Sequence, residues 1–227
     1  MVKVLLQKPW FLWYNSKNRR EVTHMAYLII VLAAYLLGSS SMAYWLSLIK
    51  QVDIRKNGSG NLGASNATVL FGWSAGIIVA VHDIGKAVLA VLLAKLLFPE
   101  LEYAGAAAGV ACVLGHIFPF YLKFKGGKGL ASFWGMILAL NWKVALVMLA
   151  LGLVITVVTD YISLAALSIC VTAPVGIWLT TGGIVVPLIL CIATVVMIFK
   201  HIENIHRILN HTEIGLRSTA KGEKRMK

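Results

Sequence analysis

A lysine- and glycine-rich stretch at residues 122–132 carries the residue types best suited to hold an anion. It reads Leu-Lys-Phe-Lys-Gly-Gly-Lys-Gly-Leu-Ala-Ser, and a strongly apolar segment lies on each side of it. Glycines let backbone N–H groups approach a ligand closely, while successive N–H groups, a helix start and lysines all attract negative charge. The stretch therefore predicts a site for an anionic group at a membrane face, with phosphate as the first candidate.

The same stretch has a simpler interpretation. Basic loops beside membrane helices commonly serve only to set the orientation of the protein in the bilayer. An ATP-binding loop is not predicted, because Gly129 stands where a Ser or Thr would follow Lys128 and the upstream glycine is missing.

A second polar stretch covers residues 50–71. Glycines alternate there with Ser59, Asn61, Ser65 and Asn66. The stretch is too polar to face lipid, and non-helical backbone at membrane depth is tolerated only against protein or a water-filled cavity. We predict a polar loop that runs into a short re-entrant helix, with a simple flexible loop as the alternative.

A third polar stretch covers residues 200–213. Helical spacing would place His201, Asn204 and Arg207 along one face. A generic basic helix beside the membrane is the alternative. His201 and His206 are not at the i, i+4 spacing of a zinc-binding helix, so no metal site is predicted.

Composition predicts an integral membrane protein. The 227 residues are 59% hydrophobic and 13% charged, with a mean hydropathy of +0.82, whereas soluble domains have about 25% charged residues. The formal net charge of +12 is concentrated in short segments tied to apolar ones. Such clusters suit anionic lipid headgroups or an anionic substrate, and nucleic acid is not an expected partner. Cys112, Cys170 and Cys191 each lie in an apolar run and are predicted to be small buried hydrophobes.

The apolar segments predict an all-α fold, a polytopic membrane bundle of about seven helices, some of them short, with polar loops on the cytoplasmic side. These segments cover residues 25–49, 72–98, 103–121, 130–140, 144–159, 162–181 and 184–199. The predicted division of the chain is a basic, aromatic N-terminal extension at 1–24, a membrane domain at 25–213 and a basic tail at 214–227.

The distribution of positive charge predicts the topology. The basic loops at 50–56 and 123–128 and the tail from Lys200 should share the cytoplasmic side. About seven crossings satisfy this and place the N-terminus outside. We therefore expect a multi-pass protein of the cell inner (plasma) membrane, with its active site facing the cytoplasm.

Ionisable side chains also lie inside the predicted spans. Asp83 and Lys86 are three residues apart, so they share a helix face and can pair. An ionisable group within a span is a functional-site hypothesis by default, with a structural ion pair as the alternative. His116 is predicted to be a hydrogen-bonded interior histidine, with a role as ligand or base left open.

Three polar stretches on one side of the membrane can converge on a single cleft. At their signatures the chain resembles the membrane-embedded bacterial acyl-phosphate:glycerol-3-phosphate acyltransferases. The matching segments are Gly-Ser-Gly-Asn-Leu-Gly-Ala-Ser-Asn at 58–66, Gly-His-Ile-Phe-Pro-Phe-Tyr-Leu-Lys-Phe-Lys-Gly-Gly-Lys-Gly at 115–129 and His-Ile-Glu-Asn-Ile-His-Arg-Ile-Leu at 201–209. The resemblance covers roughly residues 25–213 and implies a fold of about seven helices.

The resemblance also implies a reaction. An acyl group would move from acyl phosphate to the 1-hydroxyl of glycerol 3-phosphate, giving lysophosphatidic acid for phospholipid biosynthesis. No cofactor is implied, because the mixed anhydride is already activated and the enzyme mainly orients the hydroxyl and stabilises the oxyanion. The implied partners are acyl phosphate, glycerol 3-phosphate and membrane lipids.

Residue roles follow from the resemblance as expectations. His201 and Asn204 are the expected catalytic residues. The expected substrate-binding residues are Ser59, Asn61, Asn66, Lys125, Gly126, Gly127, Lys128 and Gly129. Ser59 and Lys128 would bind phosphate with help from the backbone of the two central glycines. Either His201 or a phosphate oxygen of the substrate would take the hydroxyl proton, and Glu213 is a weaker candidate.

The chain departs from the family pattern at Val69, where the family typically has an Arg that helps to hold phosphate. Losing a charge-assisted contact costs about 1.5–3 kcal/mol. Lys56, Lys86 and Lys125 are the candidates to replace that charge. Two other functions stay open: a divergent paralog that binds phospholipid precursors or uses another acyl acceptor, and a small membrane transporter.

Overall fold

The computed structural model describes residues 9–213, 215 and 217, and within these residues the chain is helical, with no strand. The α-helices are α1 (Pro9–Ser39), α2 (Met42–Ile49), α3 (Ala64–Phe71), α4 (Trp73–Leu97), α5 (Ala104–Ile117), α6 (Leu130–Leu140), α7 (Trp142–Thr159), α8 (Ile162–Thr181), α9 (Val185–Lys200) and α10 (Ile202–Leu209). The predicted all-α class is confirmed. The predicted extension at 1–24 and tail at 214–227 lie partly outside the described residues.

In the part of the chain that the structure describes, five helical segments are long and apolar enough to cross a membrane: Arg20–Ile49, Trp73–Leu97, Ala104–Leu122, Trp142–Thr159 and Ile162–Thr181. Helices α9 and α10, which are bent by 48° relative to each other, make a sixth if the bent pair is counted as one span. Helix α6 is apolar but has only 11 residues, too few to cross a bilayer unaided. The chain is therefore a multi-pass membrane helix bundle in which some helices are short.

Capping residues set the helix boundaries. Ser41 accepts a hydrogen bond from the Tyr44 N–H and begins α2, so the predicted segment 25–49 is broken between two helices. Asn141 accepts hydrogen bonds from the N–H groups of Lys143 and Val144 and begins α7 in the same way. Helix α1 runs without a break across residues 24 and 25, where the predicted extension was to end.

Helix α5 lies at the centre of the bundle, and almost every residue in it is buried. Small residues bring its neighbours close. A Cβ atom at Gly38 of α1 would clash with the Cys112 carbonyl, and one at Gly115 would clash with the Tyr35 carbonyl. Gly109 is equally close to Met136 of α6. Glycines at these positions allow the helices to pack closely.

The connections fall at two ends of the bundle. At one end, which we call the far end, Lys95 donates to the Ala139 carbonyl at 2.9 Å and Asn141 donates to the Thr180 hydroxyl at 3.0 Å. At the other end, Ile54 and Leu62 of the second polar stretch pack in one buried cluster with Leu122 of the lysine- and glycine-rich stretch. We call this the loop end, and it carries the candidate site.

Candidate active site

The chain reverses direction after α5 and folds back on the end of that helix. A 3₁₀ turn at Phe120–Leu122 leads into Lys123 and Phe124, both with left-handed backbone. The Gly126 N–H then donates to the Ile117 carbonyl and the Gly127 N–H to the His116 carbonyl, each at 3.1 Å. These bonds satisfy carbonyls that the end of α5 would otherwise leave without partners.

The two central glycines therefore have a different role from the one predicted. Their N–H groups are engaged by α5, so the prediction that they contact phosphate does not fit this geometry. Their lack of a side chain is needed instead for packing. A Cβ atom at Gly127 would clash with the His116 ring, and one at Gly126 would clash with the His116 carbonyl. Gly129, at φ +93°, begins α6 in a backbone conformation that suits glycine.

Lys128 joins this loop to the third polar stretch. Its ammonium donates a hydrogen bond to Oδ1 of Asn204, 76 residues further along the chain. Asn204 is buried, and its Nδ2 donates to Glu213 at 2.6 Å. The Lys128–Asn204 contact therefore brings together two residues that the resemblance had placed in one site.

Glu213 anchors this arrangement from the opposite side. Its carboxylate accepts hydrogen bonds from Arg207 at 2.6 Å and from Ser163 at 3.1 Å, in addition to the Asn204 bond. Burial alone would raise the pKa of Glu213, but the hydrogen bonds from Arg207, Asn204 and Ser163 outweigh it and hold that pKa below the ordinary value of 4.5. A charged Glu213 fixes the orientation of the Asn204 amide, because Nδ2 must face the carboxylate and Oδ1 then faces Lys128.

His201 lies at the bend between α9 and α10 and is buried. Its Nδ1 lies 2.8 Å from the Met197 carbonyl oxygen, so Nδ1 carries the proton and donates it. In the neutral ring, Nε2 is then the nitrogen with the free lone pair. Lys128 and Glu213 are close enough for their charges to act on the ring. His201 thus has the tautomer that a general base at this site requires.

Asn66 organises the second polar stretch from inside. Its buried Nδ2, which carries two N–H donors, lies 3.1–3.2 Å from the carbonyl oxygens of Ile54, Asn57 and Asn61, and its Oδ1 accepts from the Ser59 N–H at 2.9 Å. These contacts hold the loop and make Asn66 a support for Ser59, whereas the sequence predicted that it binds substrate directly. Ser59 is exposed on this loop, and the roles predicted for Ser59 and Asn61 stay predictions.

Helix α3 confirms the short helix predicted after this loop, and Val69 is exposed on it. Among the lysines proposed to replace the missing Arg charge, Lys86 is buried in an ion pair with Asp83 at 2.9 Å. It is therefore not available to a phosphate at Val69. Lys56 and Lys125 are exposed.

Sequence reasoning did not single out Ser163, although Ser163 lies directly against Glu213. The spacing of the sequence signalled only that Ser163 lies near the start of a helix, just after Asp160. No spacing rule links residues 163 and 213, because their contact depends on how α8 packs beside α10. Arg207 was expected on the same helix face as His201, but its partner Glu213 was not predicted.

Comparison with known proteins identifies the family. A family model described as "Glycerol-3-phosphate acyltransferase" matches residues 28–211. The chain belongs to the glycerol-3-phosphate acyltransferase family. The match covers all three polar stretches up to His211.

Individual acyltransferases support the same assignment. A glycerol-3-phosphate acyltransferase of Coxiella burnetii is 38% identical over 190 residues, which are 83% of this chain and 97% of the relative. Glycerol-3-phosphate acyltransferase 1 of Oceanobacillus iheyensis is 32% identical over 202 residues, which are 86% of this chain and 97% of the relative.

Solved acyltransferase structures share the fold. The crystal structure of PlsY, described as an integral membrane glycerol 3-phosphate acyltransferase in its glycerol 3-phosphate form, superposes with a TM-score of 0.81 at 32% identity. It covers 86% of this chain and 98% of that one. The lysophosphatidic acid form superposes with a TM-score of 0.77 at 33% identity, covering 83% and 94% of the two chains.

Proposed function

We propose that acyl transfer takes place at the loop end, where Lys128, Asn204 and His201 lie together. The protein is an acyltransferase that moves an acyl group from acyl phosphate to the 1-hydroxyl of glycerol 3-phosphate and forms lysophosphatidic acid. The observation that carries the proposed site is the Lys128–Asn204 hydrogen bond, because it joins two polar stretches that are far apart in sequence. Both substrates carry a phosphate, which is the group that a lysine in a glycine-rich loop suits.

Asn204 orients the ammonium of Lys128. An amide oxygen orients the ammonium without cancelling its charge, whereas a carboxylate in the same place would form an ion pair with it. Because the Asn204 Nδ2 is already bound to Glu213, we assign Asn204 the role of positioning Lys128. Lys128 in turn binds phosphoryl oxygens, and Ser59 adds a hydroxyl contact from the second polar stretch.

The chemical step needs a proton acceptor. The 1-hydroxyl oxygen of glycerol 3-phosphate attacks the acyl carbonyl, the new ester C–O bond forms, and the bond from the acyl carbon to the phosphate oxygen breaks. We assign the hydroxyl proton to Nε2 of His201, because the Met197 carbonyl holds the proton of Nδ1. Inorganic phosphate leaves as the second product. The activated mixed anhydride supplies the driving force, so the step as written uses no cofactor.

The site faces the cytoplasm of a cell inner membrane in this proposal. Support comes from the positive charges of the loops, since Lys50, Lys56, Lys123 and Lys125 all belong to connections at the loop end. Acyl phosphate can then enter from the membrane and glycerol 3-phosphate from the aqueous side.

An assay with purified protein tests the function. Detergent-solubilised enzyme is supplied with acyl phosphate and glycerol 3-phosphate, and both phosphate release and lysophosphatidic acid are measured. We expect equal amounts of the two products and a large loss in the Lys128→Ala variant. The matched control is Lys95→Met, because Lys95 lies at the far end of the bundle.

Other outcomes of this assay contradict the proposal. Phosphate release without lysophosphatidic acid would indicate another acyl acceptor or simple hydrolysis. No release of phosphate would favour a paralog that only binds phospholipid precursors. Uptake of glycerol 3-phosphate into liposomes without acyl transfer would indicate a transporter.

A further inference from the structure

A buried charge cluster lies next to the lysine- and glycine-rich loop, and the proposed reaction does not use it. The carboxylate oxygen Oδ1 of Asp83 is 2.9 Å from the Lys86 ammonium, 3.3 Å from Nδ1 of His116 and 3.4 Å from Nδ1 of His82. Asp83, Lys86 and His116 are 2%, 4% and 6% exposed. The predicted Asp83–Lys86 pairing is confirmed. Burying charged side chains inside a membrane bundle costs free energy, so a cluster of this kind is a candidate functional site.

The contacts of Lys86 connect three parts of the fold. Its ammonium lies 2.9 Å from Asp83 on α4, 2.7 Å from the Ser40 carbonyl at the break between α1 and α2, and 3.0 Å from Nδ1 of His116 on α5. An ammonium has three N–H donors, and three polar atoms surround this one.

His116 connects the cluster to the loop. Its carbonyl accepts the hydrogen bond of the Gly127 N–H at 3.1 Å. Its ring lies so close to Gly127 that a Cβ atom there would clash with it. Gly127 directly precedes Lys128, so the position of the His116 ring limits where the Lys128 backbone can lie.

We infer that Asp83 and Lys86 are positioning residues that act through His116 and the Gly127 backbone to present Lys128 to the substrate phosphate. The inference rests on the proposed role of Lys128. It gives the ion pair a part in substrate binding, whereas a structural ion pair alone would stabilise the bundle without affecting the loop.

The main variant is chosen to leave no unpaired charge in the membrane. Removing one partner of a buried ion pair strands the other charge and destabilises the fold, while replacing both partners is often close to neutral. The main variant is therefore the double substitution Asp83→Asn with Lys86→Met, and Asp83→Asn alone is the second variant. Lys95→Met is the matched control, because it removes another lysine from α4 whose ammonium also donates to a backbone carbonyl.

Kinetics provide the first measurement. We expect kcat/KM for glycerol 3-phosphate to fall about tenfold to a hundredfold in the double variant, as for a misplaced binding group, with an unchanged gel-filtration profile. When the double substitution is added to Lys128→Ala, it should lower kcat/KM by less than about twofold, because the effects of coupled residues are not additive. Equal losses in both backgrounds, or a loss no larger than that of Lys95→Met, would overturn the inference.

Limited proteolysis provides a measurement that needs no activity. Trypsin can cut the loop after the exposed residues Lys123 and Lys125. We expect loop cleavage to become severalfold faster in the double variant and in Asp83→Asn, with cleavage at 50–56 unchanged, and neither rate to change in Lys95→Met. An unchanged loop rate in the double variant would overturn the inference. An inactive wild type would refute the proposed function alone and would leave this proteolysis result readable.

Discussion

A single amide group links two charged side chains of the candidate site. Asn204 lies between the positive Lys128 and the negative Glu213, and its two ends match them, oxygen toward the ammonium and nitrogen toward the carboxylate. A neutral group in this place adds no negative charge beside the ammonium. Lys128, Asn204 and Glu213 hold one another in fixed orientations. The position of the ammonium is therefore defined more sharply than that of a lysine in a flexible loop.

Asn204→Asp should therefore impair the enzyme more than its small change in shape suggests. The new carboxylate would neutralise Lys128 and would face Glu213 at a distance where the native amide makes a 2.6 Å hydrogen bond. We expect affinity for glycerol 3-phosphate to fall by about one to two decades, equivalent to a lost charge-assisted contact of about 1.5–3 kcal/mol. KM measurements test this, with Asn210→Asp at the exposed end of α10 as the control. Equal KM values for the two variants would contradict it.

Glu213 should make the stability of the protein depend on pH. Because its hydrogen bonds hold the pKa of the folded state below 4.5, the carboxylate stabilises the fold above pH 4.5. That contribution is lost as the pH falls below 4.5 toward the folded-state pKa. Glu213→Gln should therefore lower the Tm at pH 7, and the Tm difference from wild type should shrink at pH 4. Thermal unfolding in detergent measures this, and a gap that does not shrink on acidification would count against it.

The elements around the site are positioned by close backbone contact. Helix α5 ends where its last carbonyls are taken by Gly126 and Gly127, and α6 begins two residues later at Gly129. The loop between them is therefore seated on the end of a central, buried helix. These contacts restrain the backbone of Lys128, which would be mobile in a long loop exposed to water.

Gly127→Ala should disturb the loop, since its Cβ atom would clash with the buried His116 ring. We expect a destabilisation of about 1–3 kcal/mol, as for overpacking, together with a loss of acyl transfer. Gly85→Ala is the control, because a Cβ atom there meets nothing within 4 Å. That control should be neutral, or stabilised by up to about 1 kcal/mol from the higher helix propensity of Ala. Similar Tm and activity in the two variants would refute the argument.

On the scale of the whole molecule, the two ends of the bundle differ in charge and in chemistry. The loop end holds the three polar stretches. The far end holds the short connections around Pro99, Asn141 and Gly182. This division predicts that the loop end faces the cytoplasm.

Cysteine accessibility tests that orientation. In a variant without the native cysteines, Lys125→Cys should react with a membrane-impermeant thiol reagent only after the cell is opened. Glu102→Cys, in the acidic connection before α5, should react from outside in intact cells. The opposite pattern would mean that the proposed topology is inverted.

The N-terminal extension is expected to be dispensable. A chain that starts at Met25 keeps residues 25–39 of α1, including Tyr35 and Gly38, which contact α5. We expect membrane insertion and acyl transfer to match the full chain within about twofold, since the loop end is untouched. A large loss of either, measured by membrane fractionation and the product assay, would give residues 1–24 a role.

Sequence alone determined the properties that depend on local composition and spacing. Hydropathy located the helices, an i, i+3 spacing identified the Asp83–Lys86 pair, and three signatures identified the family. Capping by Ser41 moved one boundary, and the break at Asn141 was visible as a polar group between apolar runs.

Tertiary structure decided which groups are left to bind a ligand. The sequence predicted that Gly126 and Gly127 help to bind phosphate, but in the structure their N–H groups donate to carbonyls at the end of α5. Asn66 was predicted to bind substrate, but its side chain forms hydrogen bonds within its own loop. Ser163 donates a hydrogen bond to Glu213, although the two residues are 50 positions apart in the sequence. A hydrogen-bonding partner depends on which distant segments pack together, and no local period in the sequence records that choice.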